Sequence, residues 1–538
     1  MSVDIVAENA QASTYALSDM QPGAGPGDLS VAGFARSISV NVGGTIQFCV
    51  DGPATTIRIF RVGYYADGKG FREVDQITNT PTTQPEPLTI PNSNGATTAT
   101  NWAVTAEWTV PGDAVSGMYM AYIPNAAGTN AFEPTFVVRD DDAEVDIVYK
   151  TSDTTWGAAY NYYGTKTNPN GKNLYGVGVG VGAITERSYA VSYHRPVITR
   201  GSVTQTYWWA CELPLIRFLE RNGFSVKYVT SDDLDREGAA LLQKGKVFLS
   251  SGHDEYWTQP MWDAVVDYRD NHGGRSIFMS GNEVFWRARF ERNGDESVLW
   301  CYKDSMPGPG GHVAGQAFDP VTWTGTWKDT RWPQRSPEWL LTGTSFGMNG
   351  VYDYDAVIPK NPYGGLKVWG GSSLVDSDIT LVGALGFEAD HKHPTQPAES
   401  VRILASYTRS APGGLSDANG ENYNVPGNIE WGIVSQRYAS GGLTVGFGTC
   451  QWSWTLDGTH DRGSTVVSPA AQQFTVNLLR DLGAEPATVT SGVTLQPVNS
   501  LDEYGLIPPA SVSGTFTSDG RPILTYAKVG GVIIQIGD

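Results

Sequence analysis

The chain has 538 residues, with 56 Asp+Glu against 37 Lys+Arg and a net charge of −19, a balance that argues against nucleic acid or an anionic membrane as its main partner. Only 17% of residues are charged, while 17 Trp, 25 Tyr and 18 Phe supply large apolar surfaces, so a disordered chain is excluded and two or three domains with sizeable cores are expected. No apolar run approaches the roughly 18 residues of a membrane span, and the four cysteines (Cys49, Cys211, Cys301, Cys450) show no CxxC spacing that would point to a structural zinc.

Residues 1–142 read as all-β. Short alternating runs such as SISVNVGGTIQFCV, TTIRIFRVGYY and NWAVTAEWTV are punctuated by GG, DG, PG and NG pairs at sandwich-like spacing, which predicts an immunoglobulin-like β-sandwich. The acidic run Asp140, Asp141, Asp142 marks its end. From residue 143 the period changes. VDIVYKTSD is a buried strand, ELPLIRFLERNG an amphipathic helix, FSVKYVTSDDL a strand followed by a turn, and GAALLQ a short helix. KVFLSSGHDEYW runs from strand to loop, PMWDAVVDYRDNHGG is a helix with proline near its start and glycines at its end, and RSIFMSGNEVFWR is another strand and loop. The series predicts a parallel, doubly wound sheet over 143–485. Beyond residue 300 the chain reads as loop-rich and Trp-rich, with strands near 380–388, 400–406 and 443–450, and the helix PAAQQFTVNLLRDLG closes the domain. Residues 486–538 read as a β-rich tail module. No signal peptide stands in the sequence as written, so a cytoplasmic protein is expected, or a secreted one if a leader has been removed.

Ligands of open α/β sheets bind at the carboxyl ends of the strands. Three strands deliver chemistry there: one carries His253, Asp254, Glu255 and Tyr256, one Asn282 and Glu283, and one Asp153 followed by Trp156, Tyr160 and Tyr163. Glycine-flanked turns that bring an imidazole, carboxylates and phenols to one rim have the composition of a site, although polar strand ends are also ordinary wet loops. Other matches fail in context. GTSFG at 343–347 has the nucleophile-elbow spacing, but Met348, Asn349 and Gly350 cannot start the helix that must follow. GVGVGVGA at 176–183 lacks a preceding strand and reads as a flap over the site; His391 and His393, with no third histidine nearby, read as a solvated loop.

At GHDEYW and GNEVFW the sequence resembles the family of the large (β) subunit of N,N-dimethylformamidase, in a bacterial branch with a β-sandwich ahead of the catalytic-type domain. The resemblance covers about residues 1–485. It rests on VAENA, GDLSVAGFA, RIFRVGYYADG and NWAVTAEWTVPGDAVSGMYMA, then on KTSDTTWGAAYNYYG, YHRP, ELPLIRFLERNGF, VFLSSGHDEYW, MSGNEVFWR, TGTWKD, PEWLLTG and TCQWSWTLDG. It implies a glutamine-amidotransferase-like α/β layout without the cysteine nucleophile, and a mononuclear Fe(III) held by two tyrosines and a glutamate. Tyr256 is carried over as one tyrosine and Glu338 of PEWLLTG as the glutamate. Where relatives carry Glu-Tyr-Pro this chain has Glu212, Leu213 and Pro214, so either Tyr207 substitutes or the site is altered. The activity implied is hydrolysis of a small amide or related C–N bond. In it Glu283 or Glu255 handles the proton of an activated water, His253 and Asn282 hold substrate or ligands, and Asp153, Trp156, Tyr160 and Asp254 line the substrate site. The competing expectation is a non-catalytic carbohydrate- or surface-binding protein with a degenerate metal site; a glycoside hydrolase using paired carboxylates is a third. The partners expected are a small amide or carbohydrate ligand and a second copy of the chain.

Overall fold

The computed structural model describes residues 4–20, 30–129, 131–158, 171–177, 187–197, 207–304, 314–329, 331, 336–415, 425–462, 466–508, 525–529 and 532–536. The molecule is built mostly from β-sheets, with a small number of helices.

In the N-terminal part, strands Ala32–Ala35, Thr45–Asp51 and Ala106–Thr109 form one sheet. Ser39–Asn41, Thr135–Arg139, Gly117–Pro124, Thr56–Val62 and Phe71–Thr78, in that order, form the other. Strand alternation sorts their side chains. Ile57 and Ile59 enter a core with Phe48, Val50, Trp108 and Phe136 between the two sheets. Phe60, Val62, Met118 and Met120 point the opposite way, into the core of the α/β body beside Trp208 and Trp209. The second sheet is thus buried on both faces, which is why GMYMAYIP is a continuous apolar run rather than an alternating one. An ion pair locks the two parts. Arg61 and Glu220, both essentially inaccessible to solvent, meet through two contacts of 2.8 and 3.0 Å.

The strands of the central sheet are labelled in chain order β1 (Val145–Lys150), β2 (Val226–Val229), β3 (Gly245–Ser251), β4 (Arg275–Met279), β5 (Ser345–Ile358), β6 (Ile379–His391), β7 (Val401–Leu415), β8 (Val425–Arg437) and β9 (Leu443–Gly446). Their spatial order is 2-1-3-4-9-8-7-5-6. The first five are mutually parallel and the rest antiparallel, so the doubly wound expectation describes only half of a mixed sheet. The principal helices are α1 (Asp153–Ala158), α2 (Trp208–Arg221), α3 (Ser231–Glu237), α4 (Gln259–His272) and α5 (Pro469–Asp481). Ile147, Tyr149, Val247, Leu249, Ile277 and Met279 face α2 and α5, whereas Val148, Phe248 and Phe278 face α3 and α4.

Several elements differ from expectation. Helix α2 begins at Trp208, ahead of Glu212, and carries Pro214 in its interior. The amide that Pro214 lacks leaves the Ala210 carbonyl without its helical donor, and the Trp454 indole nitrogen donates to it at 2.7 Å. The turn expected after Val229 is helix α3, started by Thr230 and Asp233 capping each other's backbone amides. The region after residue 300 contains four long antiparallel strands, β5–β8, whose irregular registers and glycines hid their period. Ser345 of GTSFG opens β5, with no helix behind it. In the tail, Val493 and Tyr504 reach the main core, and Thr525–Val529 pairs with Val532–Ile536 as a hairpin. All four cysteines are buried thiols. No helix among the described residues is long and apolar enough to cross a membrane. Tyr160, Tyr163 and most of the GVGVGVGA run lie outside the described residues.

Candidate functional site

Strand order reverses between β1 and β3, the position where open α/β sheets place their ligands. The turn after β3 carries His253, Asp254 and Glu255; the turn after β4 carries Asn282, Glu283 and Val284. Backbone hydrogen bonds stitch the turns together, from Val284 to the Asp254 carbonyl at 3.0 Å and from Phe285 and Trp286 to the Glu255 carbonyl at 3.0 and 2.9 Å. Thr155 of α1 joins them by accepting the Glu255 amide. The second turn is strained, since Asn282 and Val284 hold φ of +50° and +56°. For a β-branched residue that conformation persists only where the surroundings enforce it.

Glu255 is the hub. Its carboxylate accepts from the Trp286 indole at 2.8 Å, the Tyr175 hydroxyl at 2.9 Å and the Asn282 side-chain amide at 3.5 Å. The Tyr175 oxygen also accepts from the Tyr256 hydroxyl at 2.8 Å. Two phenol oxygens and a carboxylate oxygen therefore lie at successive hydrogen-bond distances. Lys303 closes the group from below: it donates to the Tyr256 hydroxyl at 2.7 Å and its ammonium sits 3.2 Å from the Tyr175 ring centroid and 4.9 Å from that of Trp286. Lys303 is 4% exposed and has a φ of +51°. Burial lowers its pKa to about 7, against the opposing pull of Glu255. On the other side, His253 Nε2 lies 2.8 Å from a Glu388 oxygen and 3.9 Å from Glu255. Burial alone would depress this imidazole, but Glu388 and then Glu255 raise its pKa to about 9, so it is a buried cation at neutral pH. Burial pushes Asp390 up to about 8, while its carboxylate accepts the Asn282 amide at 2.8 Å.

Of the residues expected from the sequence, His253, Glu255, Tyr256 and Asn282 come together here. Asp254 and Glu283 lie behind the turns, with the Lys150 ammonium 2.7 Å from Asp254. Four others, Tyr207, Asp153, Trp156 and Glu338, have their contacts elsewhere. Tyr207 precedes α2, bonds the Thr135 hydroxyl at 3.2 Å, and lines a cavity of about 70 Å³ with Asp153 and Trp156 at the seam with the sandwich. Asp153 is held there by Tyr193 and Thr151, and Trp156 donates to Glu212. Leu213 is core. Glu338 accepts from the Ser345 hydroxyl at 2.9 Å and the Phe346 amide at 3.3 Å, fixing the entry to β5. His393 stacks on Trp339, and no group of three His, Cys, Asp or Glu among the described residues is arranged to hold a metal.

Of the expected ligand set, Tyr256 belongs to this cluster, while Glu338 is hydrogen-bonded at the entry to β5 and Tyr207 at the seam with the sandwich. The oxygen donors that do converge are Tyr175, Tyr256 and Glu255, whose hard anionic chemistry suits a trivalent iron. Sequence reasoning missed Tyr175, Lys303, Glu388 and the indole of Trp286. Glu388 stands two residues before Asp390 in EADHKHP, where the histidines drew the eye.

Residues 56–464, more than half of the chain, match the family described as N,N-dimethylformamidase beta subunit-like, C-terminal. The match begins inside the sandwich and contains every residue of the cluster. The N,N-dimethylformamidase beta subunit of Alcaligenes sp is 37% identical over 123 residues, 21% of this chain and 16% of the relative. That of Paracoccus aminophilus is 35% identical over 100 residues, 18% of this chain and 13% of the relative. The aligned regions thus span well under a fifth of each relative's length.

Proposed function

The chain belongs to the N,N-dimethylformamidase beta subunit-like family, and on that premise we propose that it hydrolyses a small amide or related C–N bond at the Tyr175–Tyr256–Glu255 cluster. The observation that carries this reading is the convergence of those three oxygen donors beside a buried imidazolium and a desolvated lysine. We read residues 143–485 as the catalytic domain, with a glutamine-amidotransferase-like layout, 1–142 as an immunoglobulin-like sandwich docked on it, and 486–538 as a β-rich appendage.

Tyr175, Tyr256 and Glu255 would hold a mononuclear iron. When bound, the ion supplies Lewis acidity for a carbonyl oxygen and lowers the pKa of a water. The chain's own groups do the rest. Trp286 and Asn282 orient the Glu255 carboxylate. Lys303 fixes the Tyr256 phenol; with a pKa of about 7 it changes protonation state at little cost, as proton transfer near neutrality requires. His253, kept cationic by Glu388, supplies the proton that turns the leaving nitrogen into an amine. The burial of Glu255, Tyr256, Asn282, Trp286, Lys303 and His253 keeps bulk water from them and strengthens each interaction. The names of the relatives, which are beta subunits, favour an assembled enzyme with further copies or subunits.

The test is a panel of small formamides and acetamides incubated with iron-loaded protein, with release of amine and carboxylic acid measured. The account expects turnover, abolished in Glu255→Gln and reduced about 10²–10⁴-fold in His253→Gln, the range for loss of a general acid. Turnover indifferent to both substitutions would refute the placement of the site.

A further inference from the structure

Helix α1 serves two places at once. Toward the cluster, the Thr154 hydroxyl donates to the Tyr256 carbonyl at 2.9 Å and the Thr155 hydroxyl accepts the Glu255 amide at 3.1 Å. Asp153 and Trp156, three residues apart and so on one helical face, line the seam cavity of about 70 Å³ instead. Phe34 of the sandwich, Tyr193 and Tyr207 complete an aromatic wall with Trp156, whose ring lies 5.8 Å from that of Tyr207 at 58°. The polar edges of three of these rings are tied down. The Trp156 indole donates to Glu212, the Tyr207 hydroxyl bonds Thr135 at 3.2 Å, and the Tyr193 hydroxyl donates to Asp153 Oδ2 at 2.8 Å. The wall therefore offers a ligand aromatic carbon rather than further donors.

Three charged side chains also line the cavity, none more than 2% exposed: the carboxylates of Asp153 and Glu133 against the guanidinium of Arg195. Asp153 Oδ1 accepts from the Thr151 hydroxyl at 2.8 Å and the Ser231 amide at 2.7 Å, whereas Oδ2, bonded to Tyr193, keeps a lone pair for one more donor. Burial raises the Asp153 pKa to about 6, so the carboxylate is mostly ionised near pH 7. Exposed Ser37 and half-buried Ile38 and Val197 form the mouth. The volume is about half that of an apolar cavity that admits benzene, which suits about three or four non-hydrogen atoms. A bare ammonium or metal ion needs several acceptors, which an aromatic wall does not supply. N-methyl groups need none, and aromatic faces attract the charge they spread.

We propose that the seam cavity binds a small, free alkylammonium ion of about the size of dimethylammonium, one N–H donating to Asp153 Oδ2 and the methyl groups packing against Phe34, Trp156, Tyr193 and Tyr207. This site goes beyond hydrolysis at the cluster. On the amidase reading its ligand is the class of the protonated amine product, and α1 joins the cavity to the backbones of Glu255 and Tyr256.

The experiment is saturation-transfer NMR with calorimetry on the full chain near pH 7. The probes are dimethylammonium chloride, with sodium formate and acetone as an anion and a neutral molecule of similar size. The expected result is saturable binding of dimethylammonium with a Kd on the order of 1 mM, as so few atoms allow, and binding of the other two at least about tenfold weaker. Asp153→Asn weakens dimethylammonium binding at least about tenfold, and Ser37→Phe, which fills the mouth from an exposed position, abolishes it. If the buried Asn variant does not fold, Ser37→Phe decides. Absence of saturation, formate or acetone bound as tightly, or binding that survives Ser37→Phe overturns the proposal. A chain that binds the ion in this way but releases no amine from any amide would sink the amidase reading and leave the seam site standing.

Discussion

Replacing Arg61 by methionine tests how the sandwich is held to the α/β body. The guanidinium donates to both oxygens of Glu220 at 2.8 and 3.0 Å and to the Ser116 carbonyl at 3.0 Å, and neither partner of the ion pair is exposed. Truncation strands Glu220 with the Tyr228 hydroxyl donating to it at 3.2 Å. Breaking a buried pair from one side costs about 3–5 kcal/mol, since the surviving charge keeps its desolvation penalty, whereas removing both charges together is close to neutral. Gly63 sharpens the test: a Cβ there would lie 2.2 Å from the Glu220 carboxylate, so Gly63→Ala must displace the same pair. Urea titrations followed by tryptophan fluorescence are expected to show Arg61→Met destabilised by about 3–5 kcal/mol, and Arg61→Met/Glu220→Met less destabilised than the single variant. Additive losses in the double variant, or a single-variant loss below about 1 kcal/mol, would refute the reasoning.

Two further outcomes follow from buried polar contacts. Trp454→Phe removes the donor to the Ala210 carbonyl and should cost about 1–3 kcal/mol, the penalty of an orphaned buried acceptor. Pro214→Ala in the same chain restores a backbone donor, and thermal melts should show part of the loss recovered; no recovery would contradict this account of the proline. His460 stacks on Trp454 at 4.3 Å, and burial lowers its pKa from 6.5 to about 4. A depressed folded-state pKa favours the fold above the unfolded value and loses that contribution as pH falls, here between about 6.5 and 4, amounting to roughly 3 kcal/mol. His460→Phe should therefore flatten the decline of melting temperature across that window, and an unchanged slope would rule the histidine out as its source.

What was legible in the sequence is what local chemistry dictates. The turns GHDEYW and GNEVFW could be read because glycine, a strand before and clustered polar groups after are all local signals, and His253, Glu255, Asn282 and Trp286 with the Tyr256 phenol are at the cluster. Helices α2, α4 and α5 were visible through period and caps. Tyr175, Lys303 and Glu388 were not visible, because each is one polar residue in an otherwise apolar or loop context and only the tertiary fold brings it in. The strands β5–β8 were obscured by bulges and glycines. Residue type alone could not say that Tyr207, the stand-in for the tyrosine missing at Leu213, lines the seam, or that Glu338 bonds the entry to β5.

Titration of the purified chain with Fe(III) is the direct test of whether Tyr175, Tyr256 and Glu255 form one oxygen-donor centre. The account predicts about one iron per chain, with a visible phenolate-to-iron absorption that is weakened in Tyr175→Phe and in Tyr256→Phe and abolished when both are replaced, while Glu338→Gln and Tyr207→Phe leave it intact. Absorption that survives loss of both Tyr175 and Tyr256, or that disappears with Glu338 or Tyr207, would contradict it.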